Sequence, residues 1–590
     1  MGVPGFFKYL IDNYKNSKFI FNKKEVENID IINETNNIDY LLIDANCLIH
    51  PKCFKVLAEN NEITNMDILE EKMISEVMLY INHLISYVNP KSVFLAIDGV
   101  APIAKIKQQR SRRFKSIHDM KLFNNIKLKH KRPLSNFWNN SAITPGTKFM
   151  EKLHNKIIEW GKTRKEKIIY SSCNTPSEGE HKLLQFIRAN ILKNINMNYV
   201  LYGLDADLIF LALSSYNISS PIYLLREANQ INNKKPEDEL NYVSIKIMKE
   251  CIVKNILEQY DMIMKDEILE HKVNLDSTRL SNDFIFLCYF LGNDFLPHLP
   301  SLDIYNDAID ILLQIYAKIL INNQQVKQQV GQHFNNYIIN VNSMNEVHIN
   351  MKCFTMLIEE LSKMEEDKLK EHFGNKKRAR CFTAEPYEKE LFRIENLQFK
   401  INDPVLLGSD NMTEWRKRYY KHYFGCTTDE SIEKTAKNLV KNYIVGLKWV
   451  SLYYFDKCPS WEWYFPYEHP PFMCDILNYI NTIDINIIEF KEKKPLLPFE
   501  QLLCVLPQQS SYLIPKCIQK LMNNHRSSLS HLYPIDFEQD FINKTKYWMG
   551  IPMLPPLEID LVKYIYSKYV KELTKEELFR NRICEEYIFN

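Results

Sequence analysis

The sequence predicts an α/β protein whose mostly parallel sheet is flanked by helices. Three short apolar runs, rich in β-branched and aromatic residues, cover Ile38–Ile43, Val93–Ile97 and Tyr199–Leu204. Such runs are typical of buried strands, and helical patterns separate them along the chain. Because strands that alternate with helices usually pair in parallel, we expect the three runs to lie in one sheet.

A carboxylate follows each of these runs, namely Asp44, Asp98 and Asp205. In parallel sheets, ligands bind beyond the carboxyl ends of the strands. The three acids are therefore expected to converge on one site.

The helical pattern includes a basic stretch from Ala104 to about Ser116 and a second helix that opens at Ser177. The apolar stretch Asp283–Leu291 fits a helix or a strand and stops at Gly292-Asn293-Asp294.

The chain has 590 residues, which favours more than one domain. We expect a first region over residues 1–310 and a helical connector or insertion over 311–380. The stretch 381–590 is rich in aromatic residues and prolines, and we expect it to form a second, mixed α+β region that packs on the first.

Composition narrows the class of protein. The 75 basic and 73 acidic residues nearly cancel, so any affinity for nucleic acid must come from how charge is distributed. The 13 cysteines are scattered singly, without zinc-site spacing, which favours free thiols in a reducing compartment. There is no secretory segment after Met1 and no apolar run long enough to cross a bilayer, so we expect an intracellular protein without a membrane partner.

Acidic residues provide the main chemical signal: Asp44, Asp98, Glu178, Glu180, Asp205, Asp207 and Asp294. If they share a pocket, they repel one another unless cations compensate. Oxygen ligands of this kind suit Mg²⁺ or Mn²⁺, and two such ions can hydrolyse a phosphodiester.

Each acid also has a purely structural interpretation. Ser177 and Glu180 fit a capping box, Asp205 or Asp207 could cap the next helix, and Asp294 could cap after the glycine. Asp44 and Asp98 could be turn residues after strands. Spacing alone leaves both interpretations open.

The basic helix carries Lys105, Gln109, Arg112 and Arg113 on one face, at positions i, i+4, i+7 and i+8. Such a stripe can hold a phosphate, since arginine binds phosphate through two parallel hydrogen bonds. A solvated basic face is the alternative.

Several motifs resemble those of the 5′-to-3′ exoribonuclease (Xrn) family, in the same order and with similar spacing. They are Met1-Gly2-Val3-Pro4, Ile43-Asp44-Ala45-Asn46 with His50, Ala96–Pro102, Gln108–Phe114, Ile143–Thr147, Glu178–Lys182, Tyr202–Leu208, Leu291–His298, Gly446–Trp449 and Pro459–Tyr464. The match runs nearly the whole length of the chain and is weakest in the connector.

The resemblance implies a PIN-like (flap-nuclease-like) catalytic region braced by the second region. It implies two Mg²⁺ or Mn²⁺ ions held by the seven acids. It also implies processive release of nucleoside 5′-monophosphates from single-stranded RNA with a 5′-monophosphate, whose phosphate would be bound by Lys105, Gln109, Arg112 and Arg113. The family stacks the first bases between a histidine and a tryptophan, which match His50 and either Trp461 or Trp463. Without the resemblance, core packing would be the preferred interpretation of these three residues.

Three positions depart from the family pattern: Ile103 stands where arginine is frequent, Cys47 where glycine is usual, and Gly5 where a larger residue is usual. None is one of the seven acids. We expect a monomer, cytoplasmic rather than nuclear, with the decapping machinery as a candidate partner. The basic cluster Lys376-Lys377-Arg378 fits a nuclear localisation signal or a solvated patch. A flap-type DNA endonuclease and an inactive RNA-binding scaffold are the alternative functions.

Overall fold

The computed structural model describes residues 5–60, 62–134, 138–216, 219–228, 239–266, 275–330, 336–374 and 380–590. The motif Met1-Gly2-Val3-Pro4 and the cluster Lys376-Lys377-Arg378 lie outside these residues. Within them, the chain forms an α/β fold with a large sheet flanked by helices, which confirms the predicted fold class.

The strands of the described residues are β1 (Ile20–Phe21), β2 (Tyr40–Asp44), β3 (Ser92–Ala96), β4 (Lys167–Ser171), β5 (Tyr199–Tyr202), β6 (Ile222–Glu227), β7 (Leu240–Ser244), β8 (Ile339–Val341), β9 (Val347–Ile349), β10 (Gln539–Asp540), β11 (Ile551–Pro552) and β12 (Tyr587–Phe589). The α-helices are α1 (Phe6–Tyr14), α2 (Ile29–Asn36), α3 (Asn46–Glu59), α4 (Met66–Val88), α5 (Ile103–Lys129), α6 (Lys148–Gly161), α7 (Gly179–Leu192), α8 (Asp207–Ser214), α9 (Ile245–Asp266), α10 (Ser277–Cys288), α11 (Ala308–Val330), α12 (Met351–Gly374), α13 (Pro386–Glu395), α14 (Met412–Phe424), α15 (Asp429–Phe455), α16 (Met473–Tyr479), α17 (Pro498–Val505), α18 (Lys516–Asn523), α19 (Ile559–Ser567) and α20 (Lys575–Arg580).

The main sheet has the strand order β1-β7-β6-β5-β2-β3-β4-β12. The five strands from β6 to β4 are parallel, whereas β7, β1 and β12 are antiparallel to their neighbours. The three predicted strands are confirmed as β2, β3 and β5, which are adjacent. Because β12 comes from the end of the chain, the second region completes the sheet of the first.

The core lies on both faces of the sheet, since successive strand residues point to opposite sides. Leu42, Phe94 and Leu201 pack into one cluster, while their neighbours Leu41 and Val93 pack into another. Continuous apolar strands are typical of a parallel sheet covered by helices on both faces.

The predicted helices are also present, with different bounds. The basic helix α5 continues to Lys129, and the helix expected to open at Ser177 begins at Gly179 as α7. Residues 283–291 are helical: they include the second half of α10 and the 3₁₀ turn Tyr289–Leu291 that follows it.

Helix α5, which follows β3, packs against the C-terminal part of the chain. Its apolar residues Ile106 and Phe114 are buried in a cluster with Phe499 and Leu502 of α17. The buried guanidinium of Arg110 donates hydrogen bonds to the carbonyls of Cys504 and Leu532. One face of α5 is thus fixed, and the other can face a site.

The stretch 311–380 holds most of α11, the hairpin β8–β9 and α12. Tyr316 and Phe354 from this stretch are fully buried in the main core. The boundaries at residues 310 and 380 stay predictions. Among the described residues, none of the helices has both the length and the apolar character needed to cross a membrane.

Candidate active site

Two of the predicted acids are brought together by the sheet register. Asp44 is the last residue of β2 and is paired with Ala96, the last residue of β3, so that Asp98 follows at the same edge. The backbone N–H of Gly179, at the start of α7, donates to Asp98 Oδ1 at 2.6 Å. An added Cβ at Gly179 would lie 2.5 Å from Asp44 Oδ1, so only glycine allows this helix start to approach both carboxylates.

Two tyrosines of α15 position further acids. The Tyr453 hydroxyl donates to Glu178 Oε2 at 2.8 Å, and both side chains are buried. The Tyr454 hydroxyl is hydrogen-bonded to Asp207, the first residue of α8. The second region therefore helps to build the acidic site. This role could not be predicted from the sequence, because nothing in it pairs α15 with residues more than 200 positions away.

Lys105 lies among the acids. Its ammonium forms ion pairs with Glu178 and, at 2.7 Å, with Asp294 Oδ2. The Gln108 amide donates to the other oxygen of Asp294 at 2.8 Å. Burial alone would raise the pKa of Asp294, but the Lys105 charge holds it well below its usual value. Burial alone would likewise lower the pKa of Lys105, which Asp294 and Glu178 hold well above its usual value.

The structural alternatives for several acids are wrong. Glu178 is the N-cap of α7 without a capping side-chain hydrogen bond, so Ser177 and Glu180 do not form a capping box. Helix α8 has no side-chain cap from Asp205 or Asp207. Beside Asp294, it is Asn293 that accepts the turn's backbone hydrogen bonds.

The unsatisfied oxygens indicate that cations belong here. Asp44 Oδ1 and Glu180 Oε2 are buried and have no hydrogen-bond partner. Burial and the charge of Asp98 raise the pKa of Asp44 to about 8. Burial and neighbouring carboxylates also raise the pKa of Glu180.

Two other acids show the same effect. Burial, followed by Glu178, raises the pKa of Asp98 to about 6, and burial, followed by Asp294, raises the pKa of Asp207 to about 6. Buried carboxyl groups that raise one another's pKa favour a bound divalent cation, because its charge compensates theirs when they ionise.

No three His, Cys, Asp or Glu side chains of the described residues enclose a single ion-sized position. The donor set itself fits Mg²⁺ or Mn²⁺, since it consists of carboxylate oxygens with unsatisfied members. All seven acids could contribute ligands.

A pocket of about 520 Å³ opens at this sheet edge. Five of the acids line it, namely Asp44, Asp98, Glu178, Glu180 and the exposed Asp205. Asp207 and Asp294 are not part of its wall and adjoin it through Glu180 and Lys105.

The four residues of the basic stripe line the same pocket. Arg112 is exposed, whereas Arg113 Nη1 is buried without a hydrogen-bond partner, as is one end of the Gln109 amide. Burial, followed by the charge of Arg112, lowers the pKa of Arg113 to about 9. The charge of Asp98 offsets this effect only in part, and the unpartnered Nη1 can donate to an anion bound beside it.

His50 lies on α3 and also lines the pocket. Burial and the charges of Arg113 and Arg112 lower its pKa to about 4, so the imidazole is neutral at pH 7. A neutral ring facing a pocket can stack on a base.

The two candidate tryptophans are not part of the described pocket wall. Trp463 stacks on the fully buried Trp449, with ring centroids 5.1 Å apart. The Trp461 carbonyl accepts a hydrogen bond from the N–H of Ile103, which is buried among apolar side chains. The core interpretation fits Trp463, and a stacking role for either residue stays a prediction.

Other side chains shape the site without having been predicted to do so. Asn46 exchanges hydrogen bonds of 2.9 and 3.0 Å with Asp98. The Cys47 thiol donates to Asp44 Oδ2 at 3.1 Å. Arg226 donates to the carbonyls of Leu204 and Asp205 and so fixes the loop between β5 and α8. Asn46 and Cys47 stand beside a predicted acid, whereas no sequence signal points to Arg226.

Comparison with known proteins bears on the whole chain. A family model for the XRN 5′-3′ exonuclease N-terminus matches residues 1–228, and one for the Xrn1 helical domain matches residues 274–397 and 383–590.

Individual relatives agree. The human protein named 5′-3′ exoribonuclease 1 is 30% identical over 99% of this chain, which spans 35% of that relative. Proteins named 5′-3′ exoribonuclease 2 are 28% identical in Candida albicans and 29% identical in Arabidopsis thaliana, and the chain spans 74% and 69% of them.

Proposed function

The chain belongs to the XRN 5′-3′ exonuclease family, and from that premise we propose that it degrades single-stranded RNA processively from a 5′-monophosphorylated end. The product of each step would be a nucleoside 5′-monophosphate. The observation that carries this proposal is the buried, unpaired Nη1 of Arg113 in a pocket that five of the seven acids also line.

A terminal phosphate dianion is a suitable partner for the basic stripe of α5. Arg112 and Arg113 can each bind phosphate through two parallel hydrogen bonds, and Gln109 adds an amide. A 5′-hydroxyl brings no charge to this position, and a cap or triphosphate brings additional bulk. The basic stripe would therefore select 5′-monophosphorylated ends.

The carboxylates would hold two Mg²⁺ or Mn²⁺ ions, which supply the chemistry of water activation and leaving-group stabilisation at a phosphodiester. Tyr453 and Tyr454 orient Glu178 and Asp207 through their hydroxyl groups. Lys105 offsets part of the negative charge. The neutral ring of His50 would stack on a leading base, an interaction that tolerates any sequence.

One experiment tests direction, end selectivity and metal use together. The purified protein is incubated with one single-stranded RNA bearing a 5′-monophosphate, a 5′-hydroxyl or a 5′-triphosphate, with Mg²⁺ or with EDTA. We expect rapid Mg²⁺-dependent conversion of only the monophosphate form to mononucleotides. Internal fragments from all three RNAs, or preferential cutting of a DNA flap, would contradict the proposal.

A further inference from the structure

One exposed aromatic side chain faces the pocket. Phe54 lies on α3, one helical turn after His50, and lines the same pocket. Its side chain is 45% exposed, and it makes no ring–ring contact within the described parts of the chain. The exposed part of the Phe54 ring lies on the wall of a charged pocket, where a ligand bound in the pocket can contact it.

The pocket-facing residues of α3 form one stripe from the acids outward. They are Asn46, Cys47, His50, Pro51 and Phe54. Asn46 and Cys47 are hydrogen-bonded to Asp98 and Asp44, so the start of α3 lies at the acids. At 1.5 Å per residue, Phe54 lies about 12 Å further along the helix axis than Asn46. It therefore stands at the mouth of the pocket.

We infer that Phe54 is a second base-stacking platform, which binds a nucleobase further from the 5′ end than the base that His50 contacts. The inference rests on the proposed function, because that function places the 5′-phosphate beside Arg113, within the pocket. Stacked bases in a strand are separated by about 3.4 Å, and one helical turn of about 5.4 Å separates the two platforms. The two rings thus suit bases one or two positions apart.

A nucleobase fits this surface better than an apolar peptide does. The same pocket is lined by Arg112 and Arg113, and nucleic-acid grooves combine cations that follow the phosphates with aromatic rings that stack on bases. An apolar peptide would bring no negative charge to these arginines.

The test combines substitutions at Phe54 with RNAs that lack one base. Wild type, Phe54→Ala and Phe54→Trp are compared on 5′-monophosphorylated RNAs, each with a single abasic residue at positions one to six. Dissociation constants are measured in EDTA and kcat/KM in Mg²⁺. Phe382→Ala is the matched control, since Phe382 is 92% exposed and lies away from the pocket.

We expect Phe54→Ala to weaken binding and kcat/KM about 5- to 150-fold on intact RNA, the effect of losing one stacked base. The loss should vanish when one particular position is abasic, and Phe54→Trp should restore wild-type behaviour. His50→Ala should couple to a position nearer the 5′ end. Because 45% of the Phe54 side chain is exposed, the thermal midpoint should change little, and Phe382→Ala should behave as wild type.

Each contrary outcome has a distinct meaning. Equal loss on every abasic RNA, no loss at all, or coupling nearer the 5′ end than that of His50 would overturn the inference while the wild-type enzyme still degrades monophosphorylated RNA. Base-specific coupling in EDTA without any turnover in Mg²⁺ would uphold the platform and overturn the proposed function.

Discussion

Arg113→Met should separate activity from stability. Arg113 is a base whose folded-state pKa is lowered to about 9 by burial and by Arg112. At neutral pH it is protonated in both the folded and the unfolded chain, so the folded state bears the full cost of burying the charge. The shift from 12.5 to about 9 corresponds to roughly 5 kcal/mol at about 1.36 kcal/mol per pKa unit. Replacing a buried ion pair by apolar side chains of similar volume is often neutral or raises the free energy of unfolding by about 1–4 kcal/mol, and we expect the same direction for Arg113.

The same substitution removes a charged hydrogen bond to the terminal phosphate, worth about 1.5–3 kcal/mol. We therefore expect kcat/KM on 5′-monophosphorylated RNA to fall about 10- to 150-fold, with no further loss on 5′-hydroxyl RNA. Thermal unfolding should show an equal or higher midpoint, and this advantage should begin to shrink as pH rises above about 9, because the folded wild type then loses the buried charge while the unfolded chain keeps it. Inorganic phosphate should stabilise the wild type more than the variant.

The exposed Arg526 of the second region offers a matched control, because Arg526→Met removes an arginine away from the pocket. A similar loss on hydroxyl and monophosphate RNA would refute the assignment of Arg113 to the 5′ end. A clearly lower midpoint would refute the electrostatic reasoning.

Four further outcomes follow from the site. Asp207→Asn should lower Mg²⁺-dependent turnover at least ~100-fold, and retained turnover in a nuclease assay would contradict this. The same variant should not destabilise the protein in EDTA, because burial and Asp294 raise the pKa of Asp207. In EDTA the free energy of unfolding should fall as pH rises from about 4 through 8, since Asp98 and Asp44 have raised folded-state pKa values near 6 and 8. Mg²⁺ should reverse this fall at pH 8. A free energy of unfolding that does not change with pH in EDTA would contradict the expectation. Tyr453→Phe should lower kcat about 5-fold with little change in KM, whereas Tyr443→Phe, which removes a buried hydroxyl without a hydrogen-bond partner, should have no such effect in steady-state kinetics. Cys47→Ala removes the hydrogen bond to Asp44, which is worth about 1 kcal/mol, and should raise the Mg²⁺ concentration for half-maximal activity several-fold. Cys47→Ser should restore the wild-type value. Identical Mg²⁺ titrations would exclude a positioning role for the thiol.

The local part of the fold could be predicted from the sequence because local patterns determine it. Continuous apolar runs ending in acids gave β2, β3 and β5 and their shared edge, and parallel pairing then brought Asp44 and Asp98 together. The stretch 283–291 stayed ambiguous because a short apolar run fits a helix or a strand equally well.

The rest depends on contacts that no local pattern encodes. β12 joins β4 across more than 400 residues, and Tyr453 reaches Glu178 across 275 positions. Lys105 was expected with the phosphate-binding stripe, and its spacing on α5 is right. Its ion pairs with Glu178 and Asp294 depend on the fold around Asp294, which the sequence alone does not show.

The position of Lys105 bears on the number of metal ions. Seven carboxylates meet near the sheet edge, and two of their charges are offset by Lys105 and by Lys182, whose buried ammonium interacts with Asp98 and Asp44. If Arg112 and Arg113 are engaged by the 5′-phosphate, five negative charges are left for the metal ions. One divalent ion would leave three of them in a buried site, where like charges raise each other's pKa, whereas two would leave one. Electrostatics therefore favours two ions over one. Lys105→Met removes one of the compensating charges and should therefore raise the Mg²⁺ concentration that activity requires. If Lys105 served only the 5′-phosphate, the variant would lose end selectivity without this change in Mg²⁺ requirement.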